Sequence, residues 1–122
     1  MIQERSILKV ADNSGAKLVR CFRILGGTRH RYAKIGNIIV ASVQSAEPRK
    51  AVKKKDIVRC VLVRSRFATR RADGSYVRFD ENAVVLINAK NEPVATRVFG
   101  PIPRELKVLG FEKILTMAEE IV

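Results

Sequence analysis

The chain has 122 residues, 24 Lys and Arg against 12 Asp and Glu, a net charge of +12, and 47% hydrophobic residues. That length is one domain's worth of chain, 1–122, with a core of its own, and recurrent apolar runs separate it from a disordered polycation. No stretch approaches the ~20 apolar residues of a membrane helix, the opening MIQERSILKVADNSG lacks the apolar run of a secretory signal, and Cys21 and Cys60 are too few for a disulfide framework or a metal set.

In chain order, Ile7 to Val10 is a short apolar run closed by the turn cluster Asp12-Asn13-Ser14-Gly15. Leu18 to Leu25 follows, with apolar residues and arginines on both parities, the pattern of a strand covered on both sides over part of its length. Gly26-Gly27 ends it, and Thr28 to Lys34 forms a basic loop. Ile38 to Val43 is β-branched and strand-like. Pro48 to Lys55 carries five bases in eight residues and reads as an exposed loop.

Ile57 to Val63 is a strong strand whose parity continues to Phe67, placing that ring in the core. Asp73-Gly74 between T-R-R-A and S-Y-V-R predicts a hairpin with a type I′ turn. Ala83 to Ile87 is the next strand, Ala95 to Phe99 is extended, and Gly100-Pro101-Ile102-Pro103 breaks the chain. Short helices are expected over about 104–118: Arg104 to Leu109, then a stripe of Phe111, Ile114, Leu115 and Ala118. They would pack over an opening of the β body, with Glu119-Glu120 in a solvated tail. The whole reads as all-β, a small closed five-stranded barrel with a short helical C-terminal segment. An SH3-like or OB-like body gives nearly the same pattern.

The charge is uneven. Residues 17–78 hold 17 bases and three acids, net +14, whereas residues 79–122 hold five bases and seven acids, net −2. The field of the middle attracts a polyanion. For catalysis the chain offers one histidine, His30, between Arg29 and Arg31 and with no neighbouring acid. The Gly26-Gly27 loop lacks the ending of a nucleotide-binding loop. The expectation is no enzyme, no metal and no cofactor.

The basic residues fall at strand ends and loops. Arg forks grip phosphate oxygens in pairs, while Lys acts as a flexible point charge. The candidate RNA contacts are Arg49, Lys53, Lys54, Arg64, Arg66, Arg70, Arg71 and Arg78, with Arg29 and Arg31 next. A merely solvated face would explain any one lysine of 53–55, but a soluble monomer gains little from so dense a positive run. Tyr32 and Tyr76 sit in the basic loops, where a base could stack. No recognition helix, zinc finger or zipper is present, so RNA read by shape and backbone fits better than duplex DNA.

At the hairpin the chain meets a family. Val61-Leu62-Val63, Asp73-Gly74, Phe79, Asn82 and Val85-Leu86 resemble the signature of the fourteenth protein of the large ribosomal subunit, bacterial or organellar in type. The stretch from Leu8 to Ala16, Ile35-Gly36, Arg70-Arg71, Arg97 to Pro101, Arg104-Glu105-Leu106 and Phe111 to Val122 extend the resemblance in order over the whole chain. Cys60 stands where Gly or Ala is usual, a difference of packing.

The resemblance implies a non-catalytic constituent of the large subunit, in a cytoplasmic ribosome or an organellar one. It implies direct binding of large-subunit ribosomal RNA and an inter-subunit bridge to small-subunit ribosomal RNA. A neighbouring large-subunit protein (the nineteenth, in bacteria) and a ribosome-silencing factor are further implied partners. The competing readings are a free single-domain RNA-binding module of OB-like type, an enzyme on a small barrel, and a binder of membranes or acidic proteins. The first would show a compact aromatic patch, the second a cleft with a perturbed acid or base, and the third a flat basic face with exposed apolar residues.

Overall fold

A computed structural model describes residues 2–3, 6–25, 32–48 and 52–122. Five strands close into a barrel: β1 (Ile7–Val10), β2 (Ala16–Ile24), β3 (Ile38–Ala46), β4 (Ile57–Arg64) and, after an inserted hairpin, β7 (Ala83–Ile87). The hairpin arms are β5 (Thr69–Arg70) and β6 (Tyr76–Val77). Neighbouring barrel strands run antiparallel, and β1 closes on β7 in parallel through Lys9–Ala83 and Val10–Val84.

The barrel interior is the alternating set that the β-branched runs prescribe. Leu8, Val10, Val19, Cys21, Ile39, Ala41, Val43, Cys60, Leu62, Val84 and Leu86 all point inward. Each end is stoppered. Ile2 and Ala33 pair by backbone at one end, and Val52 drops in from the Lys-rich loop at the other. That loop is therefore not wholly exposed: burying Val52 anchors it while Lys53, Lys54 and Lys55 stay in solvent.

β7 is apolar at every position, and β4 is so from Cys60 to Val63, because both faces of this stretch are covered. Val61, Val63, Ala83, Val85 and Ile87 point outward into a second core. Its other half is Val98, Ile102, Leu106, Phe111, Ile114 and Leu115. The C-terminal segment thus lies on the outer wall of the barrel rather than across an opening. It consists of β8 (Val98–Ile102), a 3-10 turn at Arg104–Leu106, the short helix α1 (Glu112–Met117) and β9 (Ala118–Ile121).

β9 departs from the expected helical tail. It runs parallel to β8, pairing Val98 with Ala118, Pro101 with Glu120 and Ile102 with Ile121. Gly100-Pro101 lies inside β8 rather than breaking the chain, since a two-stranded edge leaves proline's missing N–H unneeded. The Glu119 carboxylate accepts a hydrogen bond from the Gly100 N–H at 3.0 Å, so this residue is tied down rather than merely solvated.

Asp12 fastens the closure. Its buried carboxylate accepts from Ser14 N–H (3.1 Å), Ser14 Oγ (2.6 Å) and Leu86 N–H (3.0 Å), the last lying just beyond where the β1–β7 ladder ends. Burial raises its pKa above the usual carboxylate value, and these hydrogen bonds oppose the rise.

Candidate nucleic-acid interface

Strand directions sort the basic segments. The antiparallel order sets the β2–β3 loop (25–37) and the β4–β7 insertion (65–82) at one end of the barrel, and the Lys-rich β3–β4 loop (47–56) at the other. Each of β2 and β3 has nine residues, so at about 3.3 Å per residue the two basic ends stand up to roughly 30 Å apart.

β2 bridges that gap. Its pairing with β3 is irregular between Ala16 and Leu18 and between Cys21 and Arg23. Such bulges break the two-residue alternation and turn adjacent residues outward. Lys17 and Leu18, and again Phe22 and Arg23, are therefore exposed together, with Arg20 between them. The mixed parity of this strand reflects bulges on a bare face, not cover on both sides. Lys17, Arg20 and Arg23 join the basic surface although sequence alone did not single them out. Their signal was position, outside an inward row of Val19 and Cys21.

The hairpin is shorter and differently turned than expected. Arg71 N–H donates to the Ser75 carbonyl (2.8 Å) and Gly74 N–H to the Arg71 carbonyl (3.1 Å), while Gly74 has φ +89° and Asp73 keeps a negative φ. This is a three-residue loop closed by a glycine bulge, not a type I′ turn. The Asp73 carboxylate stabilises it by accepting from Ser75 N–H and Oγ. Those two bonds, the side-chain one first, hold its pKa below the usual value.

The candidate cations then divide. Lys53, Lys54, Arg66, Arg70 and Arg78 are exposed. Arg29, Arg31 and Arg49 lie outside the described residues. Arg64 and Arg71 are engaged within the fold. The Arg64 side chain is 7% exposed and pairs through Nη2 with Glu81 at 3.3 Å. Burial lowers its pKa and Glu81 opposes that shift. Gly100 sits at φ +75°, which favours glycine, and a Cβ there would displace the tip of Arg64 at Nη1.

Arg71, 13% exposed, ties the hairpin to the tail. Its Nε lies 2.7 Å from Glu105 Oε1, and its Nη2 donates to the Val122 oxygen at 2.8 Å. Arg59 is spent similarly, donating to the Ala89 carbonyl (3.1 Å) and to Asn91 Oδ1 (3.2 Å). Arg97 has its backbone N–H bound by Asn13 Oδ1 while its side chain is exposed.

Phe67 is also placed differently from the expectation. The β4–β7 register shifts between Leu62 and Arg64, the strand ends at Arg64, and the parity that pointed Phe67 inward is lost. Its ring is half exposed.

Nucleophilic and metal chemistry find little footing. Cys21 and Cys60 are buried and form no disulfide. Burial, with smaller contributions from Asp12 and Cys21, pushes the Cys60 thiol well above its ordinary value, away from the reactive thiolate. Among the described residues no group of three His, Cys, Asp or Glu could hold a metal ion, and no helix is long and apolar enough to cross a membrane.

A comparison with protein families matches residues 1–122 to Ribosomal protein L14p/L23e. The match spans the barrel, the hairpin and the tail together. The chain belongs to the ribosomal protein L14p/L23e family, and with it to the non-catalytic, RNA-binding structural proteins of the large ribosomal subunit.

Proposed function

We propose that this chain lies against large-subunit ribosomal RNA with the bare wall of its barrel and both barrel ends. The observation that carries this reading is the division of the cations. Among the described residues, Lys53, Lys54, Arg66, Arg70 and Arg78 at the ends and the cations along β2 are exposed, whereas Arg59, Arg64 and Arg71 are used inside the fold. A backbone-reading surface of this length suits Lys and Arg spaced along a phosphate track rather than a pocket. If six to ten cations meet phosphates, affinity should fall by about three to five decades between 50 and 200 mM salt. Arg29, Arg31, Arg49, Lys53, Lys54, Arg66, Arg70 and Arg78 are the proposed contacts from sequence, joined by Lys17, Arg20 and Arg23. Arg64 and Arg71 would act indirectly, by holding the hairpin and the tail in place.

The family resemblance supplies the finer assignments. The chain would help form a bridge to small-subunit ribosomal RNA, adjoin the nineteenth large-subunit protein in bacteria and offer a dock for a ribosome-silencing factor. The near-neutral tail, with Val108 and Leu109 exposed, suits the protein contacts. The setting is a cytoplasmic ribosome, with an organellar one as the other compartment such chains serve. A free OB-like RNA-binding module is the weaker reading, because the family match leaves no part of the chain unaccounted for.

Hydroxyl-radical probing from single introduced cysteines tests this directly, since the two native thiols are buried. Probes at Lys53 and Arg70 in assembled large subunits should cut large-subunit RNA near both positions. Cuts in small-subunit RNA should appear only after subunit joining. Failure of both probes to cut large-subunit RNA would overturn the placement.

A further inference from the structure

Phe67 is 50% exposed and Tyr76 is 67% exposed. Both rings line a cleft of about 550 Å³ at the foot of the hairpin, with Lys34 and Arg70 beside them and Ser65 and Thr69 in the lining. That volume falls within the roughly 300–1,000 Å³ typical of small-ligand pockets. In the β5–β6 register Arg70 stands directly opposite Tyr76, which sets cation and ring on one face of the ribbon. Among the described residues Lys34 and Arg70 make no ion pair and the lining includes no acid.

Two rings and two uncommitted cations around one cleft form a pattern with a specific chemical complement. An apolar peptide segment would use the rings and leave both cations unanswered. A bare phosphate would use the cations and leave the rings in water. A nucleotide uses both, because an unpaired base offers a flat π face and its backbone offers charge on either side.

We propose that this cleft takes one unpaired nucleobase of large-subunit ribosomal RNA, stacked on Phe67 and Tyr76, with its flanking phosphates met by Lys34 and Arg70. The inference rests on the RNA-binding reading above and adds to it a base-level subsite on the hairpin. It also explains why an exposed Phe is held so close to the barrel. The Phe67 N–H donates to Ser65 Oγ at 3.1 Å, and the Ser65 carbonyl accepts from Phe79 N–H at 3.0 Å, so the backbone under the ring is fixed before any base arrives.

The test uses the full chain and a large-subunit ribosomal RNA transcript. The double variant Phe67→Leu/Tyr76→Leu keeps apolar bulk and removes the π faces. Its affinity should fall about tenfold or more at fixed salt, with the salt slope unchanged, because stacking releases no counterions. Arg70→Ala should instead lower the slope by about one. Zero-length ultraviolet crosslinking of the wild-type chain, mapped by mass spectrometry, should give a nucleotide adduct on Phe67 or Tyr76.

Wild-type affinity in the leucine variant with no adduct on either ring would overturn the subsite while leaving RNA binding intact. A fall in affinity matched by a fall in slope would also overturn it, since phosphates alone would then account for the cleft. No binding of the transcript by the wild-type chain would remove the RNA reading, and the subsite with it. Circular dichroism of the variant verifies the fold, and the crosslink needs no variant at all.

Discussion

Two walls of one barrel have been put to opposite uses. The β4–β7 wall is apolar on its outer face and is roofed by the tail, which packs Ile102, Leu106, Phe111 and Ile114 onto Val61, Val63 and Val85. Among the described residues the β1–β2–β3 wall has no such roof. Across it the registered row Ile7–Arg20–Ser42 leads on to Ile57, with Ile7 and Ile57 exposed and Arg20 free in solvent. Inside, both walls follow the same rule of alternating small and branched side chains. Outside, one wall's partner is carried by the chain itself, while the other faces outward with positive charge and scattered apolar surface. The cations follow this division. Arg59, Arg64 and Arg71 are consumed as clamps, whereas Lys17, Arg20 and Arg23 on the bare wall and Lys53, Lys54, Arg66, Arg70 and Arg78 at the ends remain available.

The largest effect should come from the roof. Gly100→Ala forces a Cβ into Arg64 Nη1 at a positive φ, and it should cost about 2–4 kcal/mol in urea unfolding from strain and displacement. A cost of only about 1–2 kcal/mol, the backbone strain alone, would mean that the Arg64 clamp is loose. Next come the clamps themselves. Arg64→Ala and Arg71→Ala should each lose about 1–3 kcal/mol, since each strips partners from a largely buried contact whose acidic side stays partly in water. Because these side chains meet no phosphate, the salt slope of RNA binding, measured where each variant is still folded, should change little.

On the bare wall the order reverses. Replacing Lys17, Arg20 and Arg23 together with Gln should leave urea unfolding within about 0.5 kcal/mol of wild type, as is usual for exposed sites. Their loss should reduce the slope of log affinity against log salt by about two to three. An unchanged slope would show that β2 does not face the polyanion.

Two smaller effects sharpen the picture of the barrel's closed end. Lys55 adopts φ +74° in the loop that Val52 anchors. Lys55→Gly should stabilise the chain by about 0.5–1 kcal/mol, the relief of left-handed strain less the entropy glycine loses on folding. Asp12 titrates above its ordinary value chiefly because it is buried. The native chain therefore holds that proton to higher pH than the unfolded chain, and stability falls as pH rises from the ordinary carboxylate value through the raised one. Asp12→Asn lacks this component. It should be less stable overall, because its amide keeps one acceptor oxygen and sets an NH2 where the other accepted from Leu86 or Ser14, but its deficit should narrow as pH rises through that window.

Much of the barrel was legible in the residues, because β-branched runs at Ile38 to Val43, Ile57 to Val63 and Ala83 to Ile87 declare their strands locally. What escaped depends on long-range pairing. Ala118-Glu-Glu-Ile121 has no strand pattern of its own and becomes β9 only because β8 offers it a ladder. Phe67 and the outward pairs of β2 were misplaced because a register shift or bulge cancels parity, and nothing in the adjacent residues announces it. The basic surface was legible as a quantity of charge in the middle of the chain. Its division into clamps and free cations was not, since Arg64 and Arg66 look alike until Glu81 and Gly100 are brought beside one of them.

The central claim is that the cations on the bare wall and the barrel ends bind large-subunit RNA while the clamping arginines hold the fold. The direct measurement is the salt dependence of binding to a large-subunit RNA transcript for two sets of variants at matched folded fraction. Glutamine at Lys17, Arg20, Arg23, Arg66, Arg70 and Arg78 should flatten the slope by about four to five, whereas glutamine at Arg59, Arg64 and Arg71 should leave it unchanged. A flattened slope in the clamping set, with none in the first, would contradict the account.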